Sequence, residues 1–506
     1  MRQQTPSARD RVTNGSPTRG NFVLYVTLLL LFGAGIIAIL HVGSGLQPPG
    51  PIPGAQIGPA STAPPAGGAG RSEAPGGVTG ALLENVRHPL SVLLLQVLVI
   101  IIASRAVGAL LHRLGQPTVI GEMLAGILLG PSLLGMLSPA TVSFLFPPSS
   151  MESLHLLSQI GVILFMFLVG IDLDTKHLRE RAHAAVLVSH ASIIVPFFLG
   201  TAFSLTIYRS VAPPGVTFTA FALFMGIAMS ITAFPVLVRV LEEKGLTGTP
   251  LGSTAIACAA VDDVTAWCLL ALVVAIVKAH ALTGAALTVS LALAFTCLML
   301  LVLAPRVGRA IRKAAATRPP DKELVAAVLA FVMASALLTE MIGIHALFGA
   351  FLAGVIMPSD GTLRPYLRGR LEAFSSAFLL PLFFAFTGLR TQIGLLGGWR
   401  SWLMCAGIIT VAIAGKFGAS ALAARWTGMS WVESLSIGAL MNTRGLMELI
   451  ALNIGYDLGI LSPRMFAMMV LMALTTTLMA GPVLSLLARF GGREESPSRE
   501  TGGLTA

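Results

Sequence analysis

The sequence predicts an all-α polytopic membrane protein with about thirteen core transmembrane helices and one further helix near the N-terminus. Hydrophobic residues make up 55% of its 506 residues and charged residues only 11%, whereas soluble domains average about 45–50% apolar and about 25% charged residues. Apolar runs of roughly 20 residues recur along the chain, and each is long enough to cross a hydrocarbon core about 30 Å thick as a helix. Because these runs do not alternate in polarity, they do not fit the strands of a membrane barrel.

The segments before the core differ strongly in composition. Residues 1–20 are polar and basic and are expected to form a cytoplasmic N-terminus. The apolar run 21–42 is expected to be a transmembrane anchor, with a cleaved signal peptide as the alternative. Residues 43–88 are rich in Pro, Gly and Ala, which predicts a disordered linker. The transmembrane domain is expected over 89–488, followed by a short cytoplasmic tail at 489–506.

Thirteen apolar runs define the core spans. They cover residues 89–110, 117–136, 153–172, 183–208, 217–241, 250–278, 281–304, 323–341, 342–358, 372–391, 399–424, 432–456 and 463–488.

The distribution of Lys and Arg predicts the orientation. With residues 1–20 inside, the loops and tail on that side carry twenty basic residues and the opposite short loops carry five. Basic residues concentrate in cytoplasmic loops, so both termini are expected in the cytoplasm. The short polar tail after the last span leads us to expect a bacterial inner membrane. The net charge of +10 therefore reflects topology, and nucleic acid is not an expected partner. The four cysteines show neither zinc-type nor redox-type spacing, and no cofactor is expected.

Few ionisable residues remain within the predicted spans. They are Glu122, Asp262, Asp263, Glu340, His345, Lys416, Arg444 and Glu448. A charge at mid-helix depth costs at least about 2.5–3.5 kcal/mol on insertion scales, so a functional role is the default hypothesis. Asp262 and Asp263 lie near the centre of 250–278, and Lys416 lies near the centre of 399–424, which makes Lys416 a candidate partner for one aspartate.

The two aspartates are adjacent in sequence but are not expected to share a partner. Neighbouring helical residues point about 100° apart. One carboxylate can therefore contact a neighbouring helix while the other points into a cavity.

Polar residues, Pro and Gly interrupt two of the predicted spans. They are Ser230, Thr232 and Pro235 in 217–241, and Asn442, Thr443, Arg444 and Gly445 in 432–456. Pro removes a backbone donor and Gly weakens a helix, so both spans are predicted to unwind locally. Broken helices in the two halves of a transporter expose carbonyls and helix ends that coordinate ions. Glu448 lies one turn after Arg444, and the two are expected to compensate each other's charge.

Several long motifs occur in a fixed order between residues 89 and 488. They are "GQPTVIGEMLAGILLGPSLLG" (115–135), "GVILFMFLVGIDLD" (161–174), "MSITAFPVLVRVL" (229–241), "VDDVTAW" (261–267), "PLFFAFTGLR" (381–390), "GKFG" (415–418) and "MNTRGLMELIALNIG" (441–455). Together they resemble the monovalent cation:proton antiporter-2 family, and most closely its plant CHX-type cation/proton exchanger branch and bacterial relatives. The N-terminal anchor and linker lie outside this resemblance.

The resemblance implies an inverted-repeat sodium/proton antiporter fold. Such a fold has a core domain with two crossed, unwound helices and a panel domain that forms a homodimer. Asp263 matches the family's ion- and proton-carrying aspartate, Asp262 matches the variable position before it, and Lys416 matches the lysine that pairs with that preceding position. Thr232 and the segment 442–445 match the two unwound helices.

These observations predict a secondary-active antiporter that exchanges Na⁺ or K⁺ for protons by alternating access. Proton and cation are expected to compete at Asp263, with hydroxyl oxygens of Ser230 or Thr232 and exposed carbonyls as further ligands. Glu122 is expected either to line the ion path or to bond a neighbour. The choice between Na⁺ and K⁺ and the electrogenicity stay open.

Other function classes fit the sequence less well. An intramembrane aspartyl protease is disfavoured, because its two aspartates come from different helices and meet across a water. A cation channel or a transporter-like pH or ion sensor is the alternative function, although no repeated carbonyl filter or ring of charges is evident.

Overall fold

The computed structural model describes residues 19–49, 88–172, 182–246, 249–278, 282–315, 321–358 and 363–491, and these residues contain helices and no strand. Most of the predicted linker 43–88, and most of the predicted terminal segments 1–20 and 489–506, lie outside the described residues.

The helices are numbered here in chain order. They are α1 (Arg19–Ser44), α2 (Pro89–Arg113), α3 (Thr118–Leu129), α4 (Leu134–Leu137), α5 (Pro139–Leu145), α6 (Pro148–Asp172), α7 (Ala182–Val211), α8 (Phe218–Ser230), α9 (Phe234–Glu243), α10 (Pro250–Lys278), α11 (Leu282–Cys297), α12 (Ala304–Ala315), α13 (Lys322–Ile342), α14 (Ala346–Val355), α15 (Leu363–Phe374), α16 (Leu380–Arg390), α17 (Trp399–Ile413), α18 (Ala419–Trp426), α19 (Trp431–Met441), α20 (Leu446–Asp457) and α21 (Pro463–Gly491).

Apolar helices account for every predicted span. Among the described residues, twelve helical segments are long and apolar enough to cross a membrane, and two shorter apolar helices are Phe218–Ser230 and Ala346–Val355. The two shorter helices correspond to the predicted spans 217–241 and 342–358. The prediction of an all-α polytopic membrane protein is therefore confirmed.

Local sequence signals explain where key helices begin and end. The Asp321 carboxylate accepts a hydrogen bond from the Leu324 N–H at 2.9 Å and caps the start of α13, which ends at Gly343 in the left-handed region with φ 95°. Ser430 and Glu433 form a reciprocal capping box at the start of α19. Such caps satisfy backbone N–H groups that have no partner within the helix.

In the part of the chain that the structure describes, three π-helical turns interrupt the α-helical hydrogen-bond pattern. They are Leu298–Leu303 between α11 and α12, Ser375–Leu379 between α15 and α16, and Ala414–Gly418 between α17 and α18. Single π turns inside α-helices occur frequently at functional sites. The third turn carries Lys416, whose side chain is fully buried.

The spanning helices form two packed groups. The first group contains α2, α3, α6, α13, α14 and α16, and the second contains α7, α8, α10, α17, α18, α19 and α21. Small residues let helices in the first group approach closely: a Cβ on Gly354 would lie 2.9 Å from the Gly170 Cα atom. The two groups correspond to the panel and core domains that the resemblance implies, and α1 packs against α7 and α8 of the core group.

Candidate ion-binding site

Asp262 and Lys416 form a buried ion pair. The Lys416 Nζ atom lies 3.1 Å from Asp262 Oδ2, and both side chains are fully buried. Ser192 of α7 donates its hydroxyl to Asp262 Oδ1 at 2.7 Å, so each carboxylate oxygen of Asp262 has a partner. The Lys416 ammonium also donates to the backbone carbonyl of Ser192 at 3.1 Å and to that of Ser230. A buried pair of opposite charges whose other hydrogen bonds are also made is the arrangement that can offset the cost of desolvation.

Asp263 has very different surroundings. Its side chain is 2% exposed, and its Oδ1 atom is buried without a hydrogen-bond partner among the described residues. Asp263 lines a small cavity together with Ile231, Trp267 and Met447. A buried carboxylate oxygen without a donor is costly unless a proton, a cation or a water satisfies it.

The cavity beside Asp263 brings together three separate elements. Ile231 belongs to the break between α8 and α9, Trp267 follows Asp263 by one helical turn on α10, and Met447 lies in the first turn of α20. Its volume is about 10 Å³, which is close to the smallest space that holds one water. Asp263 therefore faces the region where the two interrupted helices meet.

The two interrupted spans contact each other at their breaks. The first is broken at residues 231–233, and the second at residues 442–445. The Ala233 N–H donates to the Thr443 carbonyl at 3.0 Å, and the Thr232 hydroxyl donates to the Met441 carbonyl at 3.1 Å. The extended backbone at Ile231 and Ala233 thus finds partners in the carbonyls of the second interrupted span in place of helical hydrogen bonds. The prediction of two crossed, unwound helices is confirmed.

Glycine and proline have distinct places at this crossing. A Cβ atom on Gly445 would lie 2.7 Å from Val236 Cγ2, so glycine allows α20 to begin close to α9. Pro235 lies in the first turn of α9. N–H groups in the first turn have no partner within the helix, so the missing N–H of Pro costs no helical hydrogen bond.

Two buried cations bind the carbonyl end of α8. Arg444 donates to the Ala228 carbonyl at 2.9 Å and to the Met229 carbonyl at 2.7 Å, while Lys416 donates to the Ser230 carbonyl. The C-terminal end of a helix carries unpaired carbonyls and a partial negative charge. Lys416 therefore stabilises both Asp262 and the end of the first interrupted helix.

Arg444 is held in place by Glu448 and Thr477. Its Nη1 atom lies 3.0 Å from Glu448 Oε2, and both side chains are fully buried. The Thr477 hydroxyl accepts from the Arg444 N–H at 2.9 Å and donates to the Arg444 carbonyl at 2.6 Å. The expected compensation between Arg444 and Glu448 is thus present in the structure, at the first turn of α20.

The remaining polar side chains of the breaks bond to nearby groups. The Ser230 hydroxyl donates to the Ile193 and Gly226 carbonyls at 2.9 and 2.8 Å, and the Thr443 hydroxyl donates to the Leu440 carbonyl at 2.7 Å. Asn442 has a buried Oδ1 atom with no partner among the described residues. The hydroxyl oxygens of Ser230 and Thr232 each retain acceptor capacity, and their role as cation ligands stays a prediction.

Glu122 lies in a different part of the protein. It is buried on α3 and lines a separate cavity of about 430 Å³ with Arg105, His112 and Arg113. These residues belong to α2, α3 and the panel group, whereas Asp262 and Asp263 lie on α10 of the core group.

Sequence reasoning missed two groups of residues. Ser192 and Thr477 looked like ordinary hydroxyl residues of apolar spans, and only tertiary contacts place them against Asp262 and Arg444. The second group joins Arg390 to Asp457 at 2.7 Å and to the Asn453 side-chain oxygen at 3.2 Å. The only sequence signal for the Arg390–Asp457 contact is that two residues of opposite charge lie at the ends of predicted spans.

His155 completes this second cluster. Its Nε2 atom lies 3.6 Å from Asp457 Oδ2, and its ring stacks on Phe386 with 4.9 Å between ring centroids. The cluster therefore connects α6 and α16 of the panel group with α20, the continuation of a core helix.

Asp263 is a buried carboxylate whose Oδ1 atom has no donor among the described residues. It lies next to the bonded Asp262–Lys416 pair, at the crossing of two interrupted helices, and crossed interrupted helices of this kind are typical of ion-coupled secondary transporters. Comparison with known proteins gives the family. The profile described as "Sodium/hydrogen exchanger, transmembrane" matches residues 97–490. The chain belongs to this family, as its sequence motifs predicted.

Similar proteins include bacterial, plant and yeast antiporters. The chain is 43% identical over 398 residues to the Na⁺/H⁺ antiporter NhaS4 of Synechocystis, covering 78% of this chain and 97% of that protein. It is 40% identical to cation/H⁺ antiporter 17 of Arabidopsis thaliana over 79% of this chain and 49% of the relative. It is 31% identical to K⁺/H⁺ antiporter 1 of Saccharomyces cerevisiae over 80% of this chain and 47% of the relative. The chain thus spans about half the length of these plant and yeast relatives.

A solved structure confirms the fold. The sodium proton antiporter MjNhaP1 of Methanocaldococcus jannaschii superposes with a TM-score of 0.56 at 16% sequence identity, covering 80% of this chain and 98% of that structure. The predicted sodium/proton antiporter fold is therefore the fold of this chain.

Proposed function

We propose that this protein exchanges a monovalent cation, Na⁺ or K⁺, for protons across a membrane by alternating access, with Asp263 as the exchangeable site. The observation that carries the proposal is the buried Asp263 Oδ1 atom, which has no donor among the described residues and lies beside the crossing of the interrupted helices. The names of the relatives include both Na⁺/H⁺ and K⁺/H⁺ antiporters, which supports these two cations.

Electrostatics couples the two substrates at this site. An isolated negative charge in a dry cavity is unstable, so Asp263 is neutralised either by a proton or by a cation. Both cannot occupy the same carboxylate oxygen, and binding of one releases the other. Hard alkali cations prefer oxygen ligands, and carbonyls of the breaks and the hydroxyls of Ser230 and Thr232 are the nearby candidates. Movement of the core group against the panel group after each exchange gives alternating access.

The Asp262–Lys416 pair sets the charge that moves with the substrate. If Lys416 keeps its proton throughout the cycle, the pair is a fixed brace and exchange at Asp263 is electroneutral. If Lys416 releases its proton when the cation binds, two protons move per cation and transport is electrogenic. The dependence of exchange on membrane potential separates these two schemes.

The test is cation/proton exchange in proteoliposomes with an imposed pH gradient. Na⁺, K⁺ and Li⁺ are compared with and without a membrane potential, for the wild type and for Asp263→Asn. We expect the wild type to dissipate the gradient when its cation is added and Asp263→Asn to lose this exchange, because an amide neither ionises nor neutralises a cation.

The matched control is Glu323→Gln, which removes an exposed carboxylate in the first turn of α13 and is expected to keep wild-type exchange. Cation flux in the wild type that requires no counter-movement of protons would identify a channel and refute the proposal. Unchanged exchange in Asp263→Asn would refute the assignment of the site.

The assembly and orientation are part of the same proposal. The panel group presents exposed apolar residues such as Leu94, Leu98 and Ile102 on α2, which supports a lipid-embedded homodimer. The excess of basic residues on one side supports cytoplasmic termini. The 43% identity to a Synechocystis antiporter supports a bacterial membrane, and the inner membrane is part of the proposal. The boundaries 1–20, 21–42, 43–88, 89–488 and 489–506 are proposed as the segments of the chain.

A further inference from the structure

Helix α1 docks on the core group through an aromatic and glycine seam. The ring of Phe32 packs edge-to-face on Phe198 of α7 with 5.3 Å between centroids. A Cβ on Gly35 would lie 2.7 Å from a ring carbon of Phe198, and Gly43 approaches Phe218 of α8 still more closely. The seam holds one edge of α1 against α7 and α8.

Next to this seam, toward the N-terminal part of α1, lies an apolar pocket that Phe32 also lines. Its volume is about 290 Å³, whereas protein interiors contain few voids larger than a water. The walls are the side of α1 that carries Leu28, the face of α7 from Leu187 to Val195, and the segment from Ala414 through Trp426. All of the side chains that line it are aliphatic or aromatic. Apolar cavities stay dry and bind apolar guests, so this space favours an apolar occupant over water or an ion.

The pocket opens toward the surface that faces lipid. Leu422 and Trp426, which line it, are 53% and 63% exposed, and the neighbouring Leu30 on α1 is 69% exposed. The three walls belong to helices long and apolar enough to cross a membrane, so the surrounding medium is the acyl region of the bilayer. At its inner end the pocket reaches Ala423, which is only 3% exposed. Hydrocarbon can therefore extend from the bilayer into the protein.

The pocket lies directly behind the candidate ion-binding site. Ala414 and Gly418 are the first and last residues of the π-helical turn that carries Lys416. On the other wall, Ala191 precedes Ser192, whose hydroxyl and carbonyl contact Asp262 and Lys416. An occupant would contact the outer side of both segments that hold the buried ion pair.

We propose that this pocket is a binding site for one acyl chain of a membrane phospholipid. A chain that enters beside the exposed Leu422 and Trp426 fills the space between α1 and the π-helical turn and gains van der Waals contacts there. Arg425, next to Trp426, is exposed. Its guanidinium donates to the Met429 carbonyl at 2.7 Å, and it gives the helix that carries Leu422 and Trp426 a positive charge that a phosphate group would complement. The proposal concerns binding alone and holds whichever cation the protein transports.

The test is photo-crosslinking in nanodiscs made with a phosphatidylglycerol that carries a diazirine on its acyl chain. Labelled positions are mapped by mass spectrometry on the wild-type full chain. We expect label on lining residues that are shielded from the bilayer, such as Ala423, in addition to the exposed Leu422 and Trp426. Label only on exposed residues would indicate ordinary surrounding lipid and would overturn the proposal.

Two variants fill the pocket from opposite walls. Gly418→Leu adds a side chain at a helical position where a Cβ meets nothing within 4 Å, and Leu28→Trp adds bulk from α1 without touching the π-helical turn. Both are expected to lose the label at Ala423. The matched control Gly33→Leu also adds a side chain on α1 where a Cβ meets nothing within 4 Å, but outside the pocket, and is expected to keep the label.

Two outcomes of these variants count against the proposal. Equal label at Ala423 in all variants would show that the chain does not occupy this space. Loss in Gly418→Leu without loss in Leu28→Trp would point to a changed π-helical turn and would overturn it as well. Each variant is verified as folded by its elution as a single species in size-exclusion chromatography. The crosslinking readout does not depend on exchange activity.

Discussion

Adjacent aspartates on one helix have different partners in this protein. Asp262 is fully bonded by Lys416 and Ser192, whereas Asp263 has a buried oxygen with no donor among the described residues. The angle of about 100° between successive helical residues makes this division possible. One carboxylate is thus fixed within the protein, and in the proposed function the next one is available to a substrate.

Competition at a single carboxylate predicts a specific dependence on pH. Lowering the pH raises the proton concentration, so more cation is needed to displace the proton from Asp263. We expect the KM for the cation to rise as pH falls, with an unchanged maximal rate at saturating cation. Exchange rates measured in proteoliposomes over a matrix of pH and cation concentrations check this. A maximal rate that falls with pH while KM stays constant would contradict competition at one site.

The buried pair predicts non-additive effects on stability. Asp262→Asn or Lys416→Met alone leaves an uncompensated buried charge, and each is expected to cost about 3–5 kcal/mol. The double variant removes both charges and is expected to cost less than the sum. The free energy of unfolding is measured in detergent for the wild type, the two single variants and the double variant. The difference between the effect of the double variant and the sum of the single effects is the coupling energy of the pair.

The surface pair Arg368–Glu372 is the control for this double-mutant cycle. Its atoms lie 2.8 Å apart, but its side chains are 52% and 50% exposed. Because exposed pairs contribute about 0–1 kcal/mol, the same cycle on this pair is expected to be nearly additive. Equal coupling in the two cycles would argue against a compensated buried pair.

At the scale of elements, interruptions of helices build the site. The carbonyl end of α8 requires cations, and Arg444 from the second break and Lys416 from a π-helical turn supply them. Neither break could be stable alone in a membrane, because its backbone groups would lack partners. The two breaks are therefore mutually dependent parts of one structure.

Close contact between α6 and α14 predicts an effect of small substitutions. A Cβ on Gly354 would lie 2.9 Å from both the Gly170 Cα and the Ile171 N atom, so Gly354→Ala forces the two helices apart. Overpacking of this kind costs about 1–3 kcal/mol. We expect a lower Tm for Gly354→Ala in detergent. Gly33→Ala, where a Cβ meets nothing within 4 Å, is the control, and an equal Tm for both variants would contradict the steric explanation.

At the scale of the whole molecule, a polar cluster connects the two groups of helices. Arg390 on α16 contacts Asp457 on α20, and His155 on α6 lies on the other side of the same carboxylate. The pair is 18% and 35% exposed, so solvent partly screens the attraction between the two charges. Such a contact suits a boundary between parts that move relative to each other.

Covalent connection of these two groups is expected to stop transport. Arg390→Cys and Asp457→Cys are combined in a background in which the exposed Cys268 and Cys297 are replaced by serine. A short bifunctional maleimide should join α16 to α20, and exchange in proteoliposomes should be lost, because alternating access needs the core to move against the panel.

The two single-cysteine variants treated with the same reagent control for chemical modification. They are expected to keep the exchange rates of the untreated proteins. Undiminished exchange in the fully crosslinked double variant would show that α16 and α20 do not move apart during transport.

The sequence by itself determined the membrane class, the number and order of spans, the family and the few ionisable residues within the spans. Long apolar runs leave little choice of structure in a bilayer, and a charge within such a run is too costly to be accidental. For the same reason, the breaks at 231–233 and 442–445 could be predicted from Pro, Gly and polar residues within two spans.

Only the tertiary structure decided which groups meet. Ser192 on Asp262, Thr477 on Arg444 and the pairing of Arg390 with Asp457 join residues that are far apart in sequence, and Glu122 lies with Arg105 rather than beside Asp263. Hydroxyl groups carry little insertion cost and leave no hydropathy signal, and partners across helices depend on helix rotation and packing. Those are properties of the assembled bundle, which local sequence does not specify.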